Sequence, residues 1–401
     1  MELRRADWRQ GWVLVFAGFL PVMAIIALAP TLPTLIAHFK DVPYARLMVP
    51  LLLTVPSACI ALLAPVAGVI TDYFGRRNLM LGAMFLYGAG GIVPFIIDHF
   101  WAVVAGRILI GIAEAGILTV ANTLLADYYD GETRRRWLMI QGLAGSVLGS
   151  VLLGAAGYLA AIGWQWPFAV YAIAFPVFVG AYFFLYEPAP RSAAETPQAA
   201  KSGVPDGGPF PLATMLAVCG VTLLISTVYF VQPIHFSLLL KEMGVSNPRS
   251  IGLISAVPSL GVPLGSILFK LSGRIGSPNQ LVLVMLCYAA GLGGIGMSTT
   301  PEQAMAFAFV QQIGSGIAVP GLIAWAQNQL GFEHRGRGMG MWASAFFAAQ
   351  FVSPAVVAAV IAMTGGLHGA FTAFAGLAAA CAVAALLRRQ LQGPKKIGLV
   401  A

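Results

Sequence analysis

Charged residues are scarce in this chain. Only 9% of its 401 residues are Asp, Glu, Lys or Arg, whereas 59% are hydrophobic. A soluble domain carries about 25% charged residues. So small a charged fraction excludes a water-soluble globular protein, because the apolar side chains could not all be hidden from water. We therefore expect lipid to surround the protein.

Several chemical signatures are also missing. The four cysteines all fall inside long apolar runs, so they predict neither a disulfide framework nor a metal cluster. The sequence has no phosphate-binding loop, no His-Glu-x-x-His string and no nucleophile elbow, so it predicts no enzyme, no metal, no cofactor and no direct use of ATP. The formal net charge of +8 comes from scattered basic residues, and we expect no nucleic-acid partner.

Long apolar runs are what the sequence does contain. A membrane-spanning helix needs about 20 mostly apolar residues, and twelve runs reach that length. They lie near residues 11–38, 47–71, 78–97, 101–126, 137–162 and 166–186, and then near 211–240, 250–272, 280–299, 302–331, 338–363 and 369–387. The sequence therefore predicts an all-α, multi-pass membrane protein with twelve transmembrane helices. The first run is too long for a secretory signal and lacks a cleavage site, so we expect it to stay in the mature protein.

The basic residues between these runs predict the orientation. With the N-terminus in the cytoplasm, eighteen Lys and Arg residues fall on the cytoplasmic side and only four on the other, and Arg107 remains within the membrane. The positive-inside rule then places both termini in the cytoplasm. The compact chain and its short loops favour a bacterial inner membrane, and we expect a monomer.

The chain divides into two halves. Residues 1–186 form a predicted six-helix bundle, residues 187–210 a cytoplasmic linker rich in Pro, Ala, Ser and Gly, and residues 211–401 a second six-helix bundle. Residues 106–116 match residues 311–321 at five of eleven positions, an offset of 205. A second alignment, at an offset of 198, pairs Gly75 and Arg76 with Gly273 and Arg274. Parallel repeats of this kind are typical of transporters that bind cargo between their halves.

One loop carries a family resemblance. The segment Gly68-Val-Ile-Thr-Asp-Tyr-Phe-Gly-Arg-Arg-Asn78, between the second and third runs, resembles the signature loop of the major facilitator superfamily. The resemblance implies a secondary transporter in which this loop is a latch for the outward-open state and does not touch cargo. The implied latch residues are Gly68, Asp72, Gly75, Arg76 and Arg77. In the second half Lys270 stands in place of the acid, so an equivalent latch is not expected there.

The fourth run contains two ionisable residues, Arg107 and Glu114, well inside the membrane, and such residues are functional by default. Seven residues are two helical turns, so both side chains lie on one face about 10 Å apart. A buried carboxylate can take up and release a proton when its distance from a cation or its hydration changes. We predict that Glu114 and Arg107 couple transport to protons. A static pair that only fixes helix packing is the alternative.

The resemblance points to two branches of the superfamily. The phrase Gly111-Ile-Ala-Glu-Ala-Gly116 looks like the organic-anion symporter and spinster-type branches. The fifth run keeps Gly145, Gly149 and Gly154 of the antiporter motif, but Ser150 replaces its proline. This partial motif modestly favours export.

Neutral polar residues within the apolar runs are the candidates for the cargo cavity: Asn122, Gln141, Tyr229, Gln232, His235, Gln311, Gln312 and Gln350. We also expect proline residues, among them Pro30, Pro233, Pro320 and Pro354, to break helices along this cavity. Such a cavity has too few basic groups for phosphates or dicarboxylates and too few polar groups for sugars. The sequence thus predicts a proton-driven exporter of amphipathic or lipophilic small molecules. A proton symporter that takes up an organic monoanion is the alternative, and a membrane enzyme or receptor is disfavoured.

Overall fold

The computed structural model describes residues 6–129, 131–188, 209–330 and 334–392. Within these ranges the secondary structure is helical, and twelve helical segments are long and apolar enough to cross a membrane. Their limits agree with the predicted apolar runs to within a few residues. The all-α, twelve-span architecture is confirmed. Most of the predicted linker, residues 189–208, lies outside the described ranges.

The first six spans are built from seven α-helices and two short 3-10 segments. The α-helices are α1 (Trp8–Ile26), α2 (Leu32–His38), α3 (Ala45–Phe74), α4 (Arg76–Ile96), α5 (Phe100–Tyr128), α6 (Gly131–Ile162) and α7 (Ala174–Phe184). The 3-10 segment Ala29–Thr31 joins α1 to α2, and the segment Trp166–Ile173 precedes α7. Apolar side chains of these helices form one buried core.

The last six spans contain α8 (Leu212–Glu242), α9 (Pro248–Ser259), α10 (Gly261–Leu271), α11 (Ser277–Met297), α12 (Pro301–Gln327), α13 (Arg335–Thr364) and α14 (Leu367–Gln392). A 3-10 turn, Ser272–Ile275, follows α10. These helices enclose a second core. We call the two helical units the first bundle and the second bundle.

Close helix contacts show that the bundles are repeats. A Cβ atom on Gly111 of α5 would lie 2.6 Å from the Pro56 Cα of α3, and one on Gly316 of α12 would lie 2.1 Å from the Val262 carbonyl oxygen of α10. Each glycine therefore lets the fourth span of its bundle touch the backbone of the second span. Gly111 and Gly316 are 205 residues apart, so the structure supports the first sequence alignment.

The second sequence alignment is wrong by one helical turn. Gly75 and Gly276 both have a φ of +77°, and each stands directly before the third span of its bundle. Gly276, not Gly273, is therefore the counterpart of Gly75, and the offset is 201. The additional 3-10 turn that contains Gly273 caused the error.

Three of the named prolines do not break their helices. Pro233, Pro320 and Pro354 each lie inside a continuous helix, α8, α12 and α13. The prediction is wrong for these residues, because a proline removes one hydrogen bond but a long packed helix continues past it. Near Pro30 the chain does change, from α1 into the 3-10 segment before α2.

The two bundles meet from the middle of the structure to the end opposite the termini. The Ser237 hydroxyl donates a hydrogen bond of 2.6 Å to the Ala29 carbonyl, and the hydroxyls of Ser150 and Ser259 are 2.6 Å apart. A Cβ atom on Gly157 of α6 would lie 2.5 Å from the Pro248 carbonyl oxygen of α9. These contacts close the structure at the end away from the termini.

Candidate functional site

Arg107 lies at the centre of the first bundle and is only 1% exposed. Its guanidinium donates hydrogen bonds to the carbonyl oxygens of Leu52 at 3.2 Å, Leu53 at 2.8 Å and Ala24 at 3.0 Å. It also donates to the Tyr171 hydroxyl at 2.7 Å. One side chain on α5 thus ties together α1, α3 and the segment before α7.

The local sequence makes two of these carbonyl oxygens available. Pro56 has no backbone N–H, so the Leu52 carbonyl four residues earlier lacks its helical donor. At the end of α1 the Leu28 N–H turns to the Ile25 carbonyl. The Ala24 carbonyl is then free to accept from Arg107 and from the Tyr171 hydroxyl, the latter at 2.9 Å.

This network leaves Arg107 little capacity for another anion. A guanidinium has five N–H donors, and four of the five are engaged with oxygens of the chain itself. In the described structure Arg107 forms no ion pair with Glu114. The arginine therefore has the surroundings of a positioning residue for the helices of the first bundle.

Glu114 is buried in the same bundle. Its side chain is 2% exposed, and its Oε1 atom has no hydrogen-bond partner among the described residues. It lies one turn beyond Gly111, where α5 packs against α3. A buried carboxylate charge without a partner is costly, so this side chain is suited to hold a proton in the closed arrangement described above.

The second bundle has no charge at the equivalent place. Gln312 is the counterpart of Arg107 at the offset of 205, and its amide nitrogen donates to the Gln232 side-chain oxygen at 2.6 Å. The Gln311 amide nitrogen donates to the Tyr229 carbonyl at 3.3 Å. The structure thus brings four of the predicted cavity residues together between α8 and α12.

The other predicted cavity residues are more dispersed. His235 is buried one turn beyond Val231, whose carbonyl oxygen is 3.1 Å from its Nδ1. Gln350 is buried on α13, and its amide nitrogen finds no partner in the described part of the chain. Gln141 is half-buried on α6 beside Gly18. Asn122 is exposed and donates to the Leu118 carbonyl of its own helix, so it is apart from the others.

Three residues of the predicted latch, Gly75, Arg76 and Arg77, lie at the start of α4. Gly75 has a φ of +77° and a ψ of 152°, a combination that essentially only glycine adopts. The Glu187 carboxylate accepts hydrogen bonds from the backbone N–H groups of Arg76 and Arg77, both at 2.8 Å. A negative charge at a helix N-terminus is favourable, so Glu187 stabilises the start of α4.

The arginine side chains extend the latch to neighbouring helices. Arg76 pairs with Asp127 near the end of α5, and Arg77 donates to the carbonyl oxygens of Leu185 and Tyr182. The predicted side-chain contact of Asp72 and the surroundings of Gly68 lie outside the described residues. Three partners, Asp127, Glu187 and Tyr171, were missed as site residues. The sequence signal for Asp127 was an acid directly after the fourth apolar run, and the other two had no such signal.

Two six-helix bundles with an internal repeat, meeting around buried polar groups, are the architecture of a secondary transporter. Residues 14–301 and 215–399 match the family model of the Major Facilitator Superfamily. The chain therefore belongs to this superfamily. Together with the twelve apolar helices of the described ranges, this makes the protein an integral, multi-pass membrane protein.

Individual relatives match more locally. The chain is 32% identical to human protein spinster homolog 1 over 142 residues, which are 33% of this chain and 26% of that protein. It is 25% identical to the bacillibactin exporter of Bacillus subtilis over 162 residues, 38% of this chain and 39% of the exporter. The match to the class C tetracycline resistance protein of Escherichia coli is longer, with 26% identity over 75% of this chain and 76% of that protein.

The matched segments thus cover less than two fifths of the length of the first two of these relatives. Among solved structures, the human organic anion transporter MFSD10 (TETRAN) aligns with 94% of this chain and 99% of its own, with a TM-score of 0.70 and 17% identity. This structural likeness supports the fold.

Proposed function

We propose that the protein exports amphipathic or lipophilic small organic molecules in exchange for protons. Glu114 carries the proton, because it is a buried carboxylate whose Oε1 has no partner among the described residues. When water from the cytoplasm reaches this site in the arrangement that is closed toward the outside, the free-energy cost of the carboxylate charge falls and the proton leaves to the cytoplasm. The named bacillibactin exporter among the relatives supports the outward direction.

In this proposal Arg107 acts through position rather than by binding cargo. Its hydrogen bonds hold α1, α3 and the segment before α7 around α5, and they fix the surroundings of Glu114. Gly68, Asp72, Gly75, Arg76 and Arg77 act as the latch, together with Asp127 and Glu187. Cargo binds on the polar side chains of the second bundle.

The setting of the proposal is a bacterial inner membrane with both termini of a monomer in the cytoplasm. The two bundles touch at the end away from the termini, so the structure is closed toward the outside in that orientation. Cargo then enters from the cytoplasm in this state, and the proton comes from the outside in the opposite one.

Proton movement in liposomes tests the proposal. The purified protein is reconstituted with a pH-sensitive dye inside, and tetraphenylphosphonium or benzoate is added on one side. In the wild type we expect protons to move in the direction opposite to the lipophilic cation. In Glu114→Gln we expect no proton movement. The matched control, Glu302→Gln, changes a carboxylate in the first turn of α12 and should retain the movement.

Two results would contradict the proposal. Proton movement that persists in Glu114→Gln would show that Glu114 does not couple transport to protons. Protons that accompany benzoate in the same direction establish the symporter instead, and they require Arg107 to release at least one of its present partners.

A further inference from the structure

A cluster of aromatic side chains lies where the two bundles meet. The rings of Trp342 and Phe346 on α13 are stacked, with centroids 5.4 Å apart and planes at 22°. The Phe346 ring also lies 5.3 Å from Phe230 and 6.0 Å from Tyr229, both on α8. Tyr229 and Phe346 are half-buried and contact both hydrophobic cores. They therefore stand at the boundary between the bundles.

Unpaired polar atoms accompany these rings. Trp342 is 7% exposed, yet its indole N–H has no acceptor among the described residues. The Gln350 amide nitrogen, two turns along α13, and the Gln311 Oε1 on α12 are also without partners there. The Gln311 amide nitrogen bonds the Tyr229 carbonyl, which brings this residue beside the aromatic rings.

Such atoms indicate a ligand. A buried donor or acceptor that finds no partner costs about 1–3 kcal/mol, and here one such donor, the Trp342 indole N–H, belongs to the stacked rings themselves. Flat aromatic faces bind flat aromatic molecules, because offset stacking adds to the burial of apolar area. The unpaired indole N–H of Trp342 calls for a hydrogen-bond acceptor on that molecule.

The cluster carries no charge. None of the ion pairs and cation–ring contacts found in the described ranges involves these four aromatic side chains. The helix positions place the rings deep in the membrane, since Phe346 lies eleven residues, or about 17 Å, from the start of α13. A neutral molecule suits this environment better than an ion.

We infer that this cluster is the cargo subsite and that it binds a neutral, planar aromatic molecule with a hydrogen-bond acceptor such as a carbonyl oxygen. The cargo ring stacks beside Trp342 and Phe346, and its acceptor receives a hydrogen bond from the indole N–H of Trp342. The inference rests on the proposed export of amphipathic molecules and specifies which of them are recognised.

Two probes that differ in one acceptor test the inference. Acridone is a flat, neutral ring system with a carbonyl oxygen, and 9,10-dihydroacridine keeps the ring N–H but lacks the carbonyl. Their binding to the full-length protein in nanodiscs is measured by equilibrium dialysis, with empty nanodiscs as the blank for partition into lipid. Trp342→Phe retains an aromatic ring and removes the N–H donor. The control, Trp325→Phe, makes the same change in a half-buried tryptophan of α12 outside the cluster.

We expect Trp342→Phe to raise the Kd for acridone about fivefold to tenfold, because one hydrogen bond is lost. The Kd for dihydroacridine should change by less than about twofold. Trp325→Phe should change the Kd of either probe by less than about twofold. If Trp342→Phe does not fold, Phe346→Leu is the second variant, because it removes the other stacking ring and should weaken the binding of both probes by about the same factor. Equal effects of the variants at positions 342 and 325, or a wild type that does not prefer acridone, would overturn the inference.

The same preparations separate this inference from the proposed exchange. Selective acridone binding without proton movement in liposomes would overturn the coupling and retain the subsite. Proton movement driven by tetraphenylphosphonium, with no preference for acridone, would overturn the subsite and retain the coupling.

Discussion

Gly75 and Gly276 adopt the same backbone conformation, with φ and ψ of +77° and 152° at the first and +77° and 155° at the second. Each residue ends the turn before the third span of its bundle and is the N-cap of that helix. The turn thus has the same shape twice in the chain, although the residues that follow, Arg76 and Ser277, differ in charge.

Alanine at either glycine should destabilise the protein. A side chain in this region of φ and ψ costs about 1–3 kcal/mol, and at Gly75 the new Cβ would also lie 3.2 Å from the Glu187 carboxylate. We expect Gly75→Ala and Gly276→Ala to lower the thermal unfolding temperature in detergent. Gly82→Ala is the control, because Gly82 lies within α4 with open space around it. Equal unfolding temperatures for all three variants would show that a side chain at Gly75 or Gly276 does not strain the backbone.

Arg107 should contribute more to stability than its counterpart Gln312. Arg107→Met abolishes four hydrogen bonds and leaves three backbone carbonyls and a tyrosine without that donor, whereas Gln312→Met abolishes one. Hydrogen bonds between membrane helices contribute about 0.6–2 kcal/mol each. Differential scanning fluorimetry should show a larger fall in unfolding temperature for Arg107→Met. A larger fall for Gln312→Met would contradict this ranking.

The contact between α6 and α9 should control the closed end. Gly157→Ala places a Cβ atom 2.5 Å from the Pro248 carbonyl oxygen, so the two bundles cannot approach as closely there. We expect this variant to favour the open arrangement. Ser259→Cys, in a background without the four native cysteines, should then react faster with a membrane-impermeant thiol reagent.

Gly154→Ala provides the control for that measurement. Gly154 lies on the same helix, but its nearest neighbour for a Cβ atom is the Leu253 side chain at 3.8 Å, an ordinary contact. The labelling rate of Ser259→Cys should stay unchanged in Gly154→Ala. Equal rates in both glycine variants would show that this contact does not set the closure.

Glu187 should protect the first turn of α4. Glu187→Gln removes the charge that the backbone N–H groups of Arg76 and Arg77 face, a loss of about 0.5–1 kcal/mol. Hydrogen exchange of amides 76–79, measured by mass spectrometry, should become about twofold to fivefold faster. Glu242→Gln, at the last residue of α8, should leave that exchange unchanged. Unchanged hydrogen exchange of amides 76–79 in Glu187→Gln would show that Glu187 does not cap α4.

The sequence predicted the number and position of the spans because each leaves a run of about 20 apolar residues. It also identified Arg107 and Glu114, since ionisable residues stand out in such runs. It did not predict that Arg107 would bind carbonyl oxygens rather than face Glu114. That outcome depends on which backbone groups Pro56 and the end of α1 leave open.

The alignment error at Gly273 has a similar cause. Both glycines stand near an arginine, and only the backbone conformation distinguishes Gly276 from Gly273 as the capping residue. Glu187 lies 111 residues beyond Arg76, and no local pattern links a helix N-terminus to an acid so far away. Contacts between distant segments of this kind follow from packing rather than from periodicity.

All four hydrogen bonds of the Arg107 guanidinium stay within the first bundle. Substitutions on α8, α12 and α13 can therefore accumulate over generations without disturbing it. A gene duplication that gives one copy an arginine and the other a glutamine frees the second copy to diversify. Under the proposed mechanism, cargo specificity then changes in one bundle while proton coupling is kept in the other.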